Sequence, residues 1–277
     1  VEADIKGFFN HVDHTWLLKF LAHRIKDERF IQPIKKFLQG SIMEDGAVRS
    51  CEEGTPQGGL ISPCLSNIYL HYVLDLWFDR LFRRSCKGTA RFVRYCDDYV
   101  AMFEFEEDAK RFMVEMSSRL QKFSLEVEPT NTKMLAFGIK EFRSALKSSR
   151  HVDTFSFLGF THYMRKSRRG YPMVDRKTDA VRLRRKVKEF SAQLAKRRNQ
   201  GTKLIVEYAC SHFRGHLQYY GISGNIRSLR CYRFLVLHYL FKCLNRRSQR
   251  RSLTWEKFHL LINSFGLAKS KVIHALW

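Results

Sequence analysis

The chain has 277 residues, of which 44% are hydrophobic and 14% aromatic; this is enough for one or two buried cores and excludes wholesale disorder. Lys and Arg number 50 against 27 Asp and Glu, and the net charge of +23 points to a polyanionic partner, either nucleic acid or an anionic membrane surface. The most apolar stretches, such as residues 234–241, fall far short of the ~20 residues a membrane-spanning helix requires, so no membrane role is expected.

Val1-Glu2-Ala3-Asp4-Ile5 reads as a strand that begins at once, which predicts further protein upstream. Gly7-Phe8-Phe9-Asn10 is a turn, and a helical pattern follows over about 14–40. Residues 41–54 read as a hairpin with Asp45-Gly46 at its tip, and Thr55-Pro56-Gln57-Gly58-Gly59 as a glycine-rich loop ahead of a long amphipathic helix over about 62–82. Phe92-Val93-Arg94-Tyr95, two aspartates and Tyr99-Val100-Ala101-Met102-Phe103 read as strand, tight turn and strand. A helix is expected over about 106–123, a strand or turn pair ending near Phe137, and a short strand over 155–160. Beyond residue 165 helical patterns dominate, at about 176–198, 202–220, 228–247 and 254–263, with basic runs between them.

The charge is unevenly spread. Residues 1–150 hold 23 basic and 21 acidic side chains, whereas residues 151–277 hold 27 and 6. A solubilising surface needs a charge of only about 2–8, so the basic half is read as a nucleic-acid-binding surface. A boundary near 165–175 fits both the charge shift and the change in period. The seven cysteines, at 51, 64, 86, 96, 210, 231 and 243, include no pair at CxxC spacing, so neither a zinc site nor a disulfide framework is indicated and reduced thiols inside a cell are expected.

Two features call for chemistry. Asp97-Asp98 lies between apolar runs, where an Asp pair can merely suit a turn. Asp4 lies inside an apolar strand, where a charge is costly unless paired or metal-bound. If the two come together they form a hard oxygen cluster of the kind that holds Mg²⁺, and two such ions could activate a hydroxyl and stabilise a leaving pyrophosphate.

In these residues the chain resembles the reverse transcriptases, in particular those encoded by group II introns. Tyr95-Cys96-Asp97-Asp98 matches their YxDD box, Asp4-Ile5-Lys6-Gly7-Phe8-Phe9 with His11-Val12-Asp13-His14 their first catalytic block, and Thr55-Pro56-Gln57-Gly58-Gly59-Leu60-Ile61-Ser62-Pro63 their PQG loop and helix. Phe157-Leu158-Gly159-Phe160 resembles the primer-grip block, and residues 212–221 and 255–258 resemble the thumb and maturase segments. Asn10 and His216 depart from the pattern, standing where Asp and Trp are common.

The resemblance implies an α+β fold: a right-hand polymerase palm, an antiparallel sheet with packed helices over 1–165, followed by an all-α basic thumb or maturase domain over 166–250 and a C-terminal helical segment over 251–277. It implies that Asp4 and Asp97 ligate two Mg²⁺ with the Ile5 carbonyl nearby, Asp98 completing the cluster. Phe9 would be the steric gate against the ribose 2′-OH, Gln57 and Gly58 would touch template and incoming nucleotide, and Lys133 would protonate pyrophosphate. Phe157, Leu158, Gly159 and Phe160 would hold the primer end, with Gly159 facing the nucleic acid. Arg182, Arg185 and Lys186 would grip phosphates, opposite an apolar stripe of Val181, Val187, Phe190 and Leu194. Tyr219 and Tyr220 read equally well as base-stacking or core residues.

The implied activity is RNA-directed DNA synthesis with deoxynucleoside triphosphates on an RNA template and DNA primer, together with binding of structured intron RNA. The implied setting is a bacterial cytoplasm or an organelle. In the family a fingers region lies upstream, so residues 1–277 alone are expected to be inactive or nearly so. Two other readings stay open: a splicing factor that binds RNA without polymerising, and a domesticated or defence-associated reverse transcriptase.

Overall fold

The computed structural model describes residues 1–40, 42–44, 47–49, 54–55, 59–246 and 253–275. The chain divides into two compact units, Val1–Leu135 and Ala136–Trp277. Among the described residues no helix is long and apolar enough to cross a membrane.

The first unit opens with β1 (Glu2–Ala3) and a 3₁₀ turn, Phe8–Asn10. The helix expected over 14–40 is two, α1 (His14–Arg24) and α2 (Glu28–Leu38). The break is local chemistry: Ile25 is extended, and the Asp27 carboxylate accepts the Arg29 N–H at 2.9 Å and starts a new helix. The expected hairpin is present as β2 (Ile42–Glu44) and β3 (Ala47–Arg49), which pair antiparallel; Asp45 and Gly46 lie outside the described residues.

The next helix is α3 (Ser62–Leu70), which continues through two π-helical stretches, His71–Asp75 and Phe78–Phe82. The hairpin of β4 (Ala90–Tyr95) and β5 (Asp98–Phe103) follows, then α4 (Glu106–Gln121). The sheet order is β1-β5-β4, all antiparallel. Leu17, Tyr69, Leu70, Phe82, Tyr99, Ala101, Phe112 and Leu125 are fully buried in one core, so helices and sheet share a single apolar interior.

The second unit begins with α5 (Ile139–Lys147), a helix the sequence reading did not anticipate. A three-stranded antiparallel sheet follows: β6 (Phe155–Phe157), β7 (Phe160–Lys166) and β8 (Pro172–Thr178). The stretch from 166 is therefore not all helical. Its first regular element is a strand, and the basic run Arg165-Lys166-Ser167-Arg168-Arg169 forms the end of β7 and the turn after it, closed by Gly170 at φ +83°. Because β7 pairs with β8 along its full length, residues 155–165 fold with the second unit.

Asp175 on β8 is buried and hydrogen-bonded by Arg165 and Tyr163. Gly224 passes so close that a Cβ there would fall 2.0 Å from the Asp175 carboxylate, and its φ is +88°. Only glycine fits. The unit is completed by α6 (Ala180–Lys196), α7 (Thr202–Tyr220), α8 (Ile226–Asn245) and α9 (Trp255–Ser264), packed round Phe190, Phe213, Tyr232, Leu240 and Phe258.

Measured by these units, the charge division is sharper than the halves indicate. Val1–Leu135 carries 19 basic and 20 acidic residues; Ala136–Trp277 carries 31 and 7.

Candidate active site

Two adjacent strands of the first unit place the acidic residues. In β1, Glu2 pairs with Val100 and Ala3 with Tyr99, so Asp4 follows Ala3 at the end of the strand where β5 begins with Asp98. Tyr95 pairs with Asp98, leaving Cys96 and Asp97 as a two-residue turn. Cys96 has φ +55°, a left-handed conformation that is uncommon for a residue with a side chain. All three aspartates are partly exposed.

Asp4 is held from several sides. Its Oδ1 accepts the Ile5 N–H at 2.9 Å, its Oδ2 accepts the Asn131 Nδ2 at 3.3 Å, and its carbonyl accepts the Glu128 N–H at 2.9 Å. Burial raises the pKa of the Tyr99 phenol, and the nearby Asp4 carboxylate adds to the rise, so the two groups share one electrostatic neighbourhood. Asn131 was not singled out as a site residue in the sequence. The signal available was its place in Pro129-Thr130-Asn131-Thr132-Lys133.

The same segment brings in Lys133. Its N–H donates to the Glu2 carbonyl at 2.8 Å and its carbonyl accepts the Glu2 N–H at 2.9 Å. β1 is thus flanked by β5 on one side and by the 126–133 segment on the other, where Ile5 also bridges Val127. Lys133 is exposed, whereas the Ile5 side chain is buried, which leaves only the Ile5 backbone for a ligand.

Phe9 sits in the 3₁₀ turn, partly buried, its ring 5.3 Å from that of Phe8. Its carbonyl accepts the Thr55 N–H at 2.7 Å, and the Val12 carbonyl accepts the Gly54 N–H at 2.9 Å. Gly54, at φ +85°, makes this approach possible: a Cβ there would lie 2.7 Å from the Phe9 carbonyl oxygen. The start of the PQG loop is therefore fastened beside Phe9. Gln57 and Gly58 themselves lie outside the described residues.

The donor chemistry suits a hard cation, with carboxylates and backbone carbonyls as the oxygens at hand. Among the described residues no three His, Cys, Asp or Glu side chains converge as a ready ligand set. Mg²⁺ does not require one, since it is commonly held by one or two carboxylates together with water and substrate phosphates.

In the second unit, Phe157-Leu158-Gly159-Phe160 forms the β6–β7 hairpin. Phe157 pairs with Phe160, and Leu158 and Gly159 turn at φ +50° and +78°. Gly159, expected to face the nucleic acid, is covered by protein side chains instead. It is buried, and a Cβ there would lie 2.9 Å from the Tyr220 hydroxyl and 3.4 Å from Arg182 Cδ. Tyr219 Oη donates to the Leu158 carbonyl at 2.8 Å and remains half exposed, whereas Tyr220 belongs to the core.

On α6, Asp179 caps the helix by accepting the Arg182 N–H at 2.9 Å, and it also accepts the Ser156 and Thr161 hydroxyls. The apolar stripe is Leu183, Val187, Phe190 and Leu194; Val181 is 67% exposed and not part of it. Arg182 and Arg185 are exposed, Arg185 beside Glu189 at 3.6 Å. Lys186 is partly buried, its ammonium 5.1 Å from the centre of the Tyr220 ring, and burial lowers its pKa.

The profile of the family described as "Reverse transcriptase (RNA-dependent DNA polymerase)" matches residues 1–162, more than half of the chain, and the chain belongs to that family. It is similar to the group II intron-encoded protein LtrA of Lactococcus lactis subsp. cremoris, 45% identical over 86 residues, which is 29% of this chain and 14% of LtrA. It is also similar to a 91 kDa protein in the cob intron of Schizosaccharomyces pombe (42% over 81 residues, 29% of this chain and 10% of that protein). Protein YkfC of Escherichia coli K12 is 39% identical over 92 residues, 33% of this chain and 23% of YkfC. The chain thus matches less than a quarter of the length of each of these relatives.

Proposed function

We propose that the chain supplies the catalytic palm and the nucleic-acid-gripping thumb of an RNA-directed DNA polymerase of the group II intron type. The observation that carries the reading is the position of Asp4 at the end of β1, beside the β4–β5 hairpin that bears Asp97 and Asp98, in a member of the reverse transcriptase family. Asp4 and Asp97 would hold Mg²⁺ with the Ile5 carbonyl, and Asp98 would complete the negative field. When bound, the metal pair would polarise the primer hydroxyl and neutralise the leaving pyrophosphate. Asn131 holds the Asp4 carboxylate in place. Lys133, exposed on the segment next to β1, is assigned as the proton donor to pyrophosphate, and Gln57 and Gly58 as contacts to template and nucleotide. Phe157, Leu158 and Phe160, all partly exposed, are assigned to the primer end, and the buried Gly159 to the turn that presents them.

The test is RNA-templated extension of a DNA primer by the natural-length protein, with Mg²⁺ and deoxynucleoside triphosphates. Failure to extend any primer under conditions in which the protein is folded and binds RNA would leave the splicing-factor reading in its place. The gate role of Phe9 adds a specific expectation. Phe9→Ala should lower discrimination against ribonucleotides on the order of 10²-fold, read as the ratio of kcat/KM for paired substrates. An unchanged ratio assigns Phe9 to packing alone.

The second unit is proposed to bind the template, the primer and structured intron RNA through its excess positive charge. Phosphate contacts release counterions, so affinity falls steeply with salt. Arg182→Ala with Arg185→Ala should weaken RNA binding on every sequence tested and flatten the log Kd against log salt slope by about 1–2. Lys186→Ala should change this slope least of the three, because its ammonium lies against the Tyr220 ring. A fluorescence-anisotropy titration at several salt concentrations checks both statements.

A further inference from the structure

One buried cation in the first unit has no part in the chemistry described above. Arg94 lies on β4, two residues before the Cys96-Asp97 turn, and its side chain is 10% exposed. Its guanidinium is almost fully engaged. Nε donates to Asp75 Oδ1 at 2.8 Å and Nη2 to Asp75 Oδ2 at 2.6 Å, a two-pronged pair. Nη1 donates to Asn67 Oδ1 at 2.9 Å and to the Cys96 carbonyl at 2.7 Å.

The helix opposite is shaped for this grip. Asn67, His71 and Asp75 recur every fourth residue, and His71 Nδ1 lies 3.5 Å from Asp75 Oδ2. In a continuous α-helix a four-residue repeat drifts by about 40° per step. The π-helical stretch His71–Asp75, which closes its turn on the fifth residue, offsets that drift and keeps the polar row facing β4. The carbonyl at the far end of the row belongs to Cys96, the turn residue in the left-handed conformation. Such a conformation persists only where the surroundings hold it.

We infer that Arg94 is a positioning residue: fixed by Asp75 and Asn67, it holds the Cys96 carbonyl and so sets the turn that presents Asp97 and Asp98. This rests on the proposed role of Asp97 in metal binding, but the mechanical part can be tested without it. Cys96 is itself the reporter, partly exposed in the turn, whereas Cys86, partly buried against the core of the same unit, reports unfolding of that unit.

The experiment is alkylation by N-ethylmaleimide followed by peptide mass spectrometry, on the wild type, Arg94→Lys and Asn67→Ala. Lysine keeps the charge but cannot hold Asp75 by two prongs and reach the carbonyl as well. Arg94→Lys should label Cys96 at least ~5-fold faster while the labelling rate of Cys86 is unchanged. Equal Cys96 rates with Cys86 unchanged would overturn the inference. Should Arg94→Lys speed the labelling of Cys86 as well, Asn67→Ala decides. It removes one neutral bond and leaves the ion pair, and faster Cys96 labelling supports the clamp where unchanged labelling overturns it.

In the natural-length protein, Arg94→Lys should lower kcat and raise the Mg²⁺ concentration at half-maximal rate, leaving KM for the nucleic acid unchanged. A change confined to that KM would also overturn the inference. If instead Cys96 labels faster and Asp97→Ala leaves synthesis intact, the clamp stands and the catalytic reading of the turn fails.

Discussion

Asp97→Ala in the natural-length protein is expected to lower RNA-templated DNA synthesis by about 10³-fold or more, a loss of ~4 kcal/mol of transition-state stabilisation. Nucleotidyl transfer asks little of a protein beyond positioning and neutralisation of developing charge, so the loss of one of two proposed carboxylate ligands removes much of what the site would supply. Asp97 lies in a two-residue turn and is partly exposed, so its removal should leave thermal stability within about 0.5 kcal/mol. Asp97→Asn, which keeps shape and removes charge, should behave like Asp97→Ala. Asp98→Ala should cost less, since Asp98 is assigned to the surrounding field. Unchanged primer extension by the alanine variant would sink the polymerase reading. Splicing that survives in the same variant while cDNA synthesis disappears would show two separable functions on one chain.

The second large effect concerns stability in acid. His216 on α7 is 1% exposed, stacked between Tyr232 at 3.7 Å and Tyr220 at 4.6 Å. Neither ring nitrogen meets a hydrogen-bonding group among the described residues. Burial, reinforced by Lys186 and His212, pushes its pKa from 6.5 down to about 3, so the imidazole is neutral in the folded unit. A depressed histidine pKa favours the folded state above pH ~6.5, and that contribution is lost as pH falls toward about 3. The loss should reach about 2 kcal/mol at pH 5 and approach ~5 kcal/mol at the acid limit.

Near-ultraviolet circular dichroism of the stacked tyrosines should therefore show a melting temperature at least about 5 °C lower at pH 5 than at pH 7.5. His216→Phe keeps the stack and removes the titrating group, so it should recover most of that difference. It should also raise stability at pH 7.5 by about 1–3 kcal/mol, because two orphaned polar atoms go with the ring. His212, hydrogen-bonded to Tyr232 at 2.6 Å and likewise depressed by burial, accounts for what remains. Identical pH profiles for wild type and His216→Phe would refute this account.

The β4–β5 hairpin was legible because two runs rich in aromatic and apolar residues flank a polar break; the turn itself is Cys96-Asp97, one residue ahead of the Asp pair. Helices α6 to α9 were legible from their period, to within a few residues at most ends. The break between α1 and α2 was not, because apolar residues continue at helical spacing across Ile25 and the cap is a single side-chain bond from Asp27. Strand β8 was hidden by its charge. Asp175 alternates with exposed positions like a surface residue, yet it is buried against Arg165.

At the site, residue type and setting drew attention to Asp4, Asp97 and Asp98 and the family resemblance to Phe9, and the first three lie at the neighbouring ends of β1 and the β4–β5 hairpin. Arg94 and Asp75 were passed over. A lone charge in Phe92-Val93-Arg94-Tyr95 and another in an apolar helix look like solvent-facing exceptions until a partner is known. Pairing between residues 19 apart is tertiary information that no local pattern holds.

On the proposed reading, the near-neutral first unit and the second unit with 31 basic residues against 7 acidic would separate two rates that a polymerase must balance. How long nucleic acid stays bound would be set by charges on one unit; how fast a bond forms would be set by carboxylates on the other. Residence time would then be lengthened or shortened by changing arginines on α6 without disturbing the acidic turn. The two properties can drift independently under selection, and an engineer can tune them one at a time.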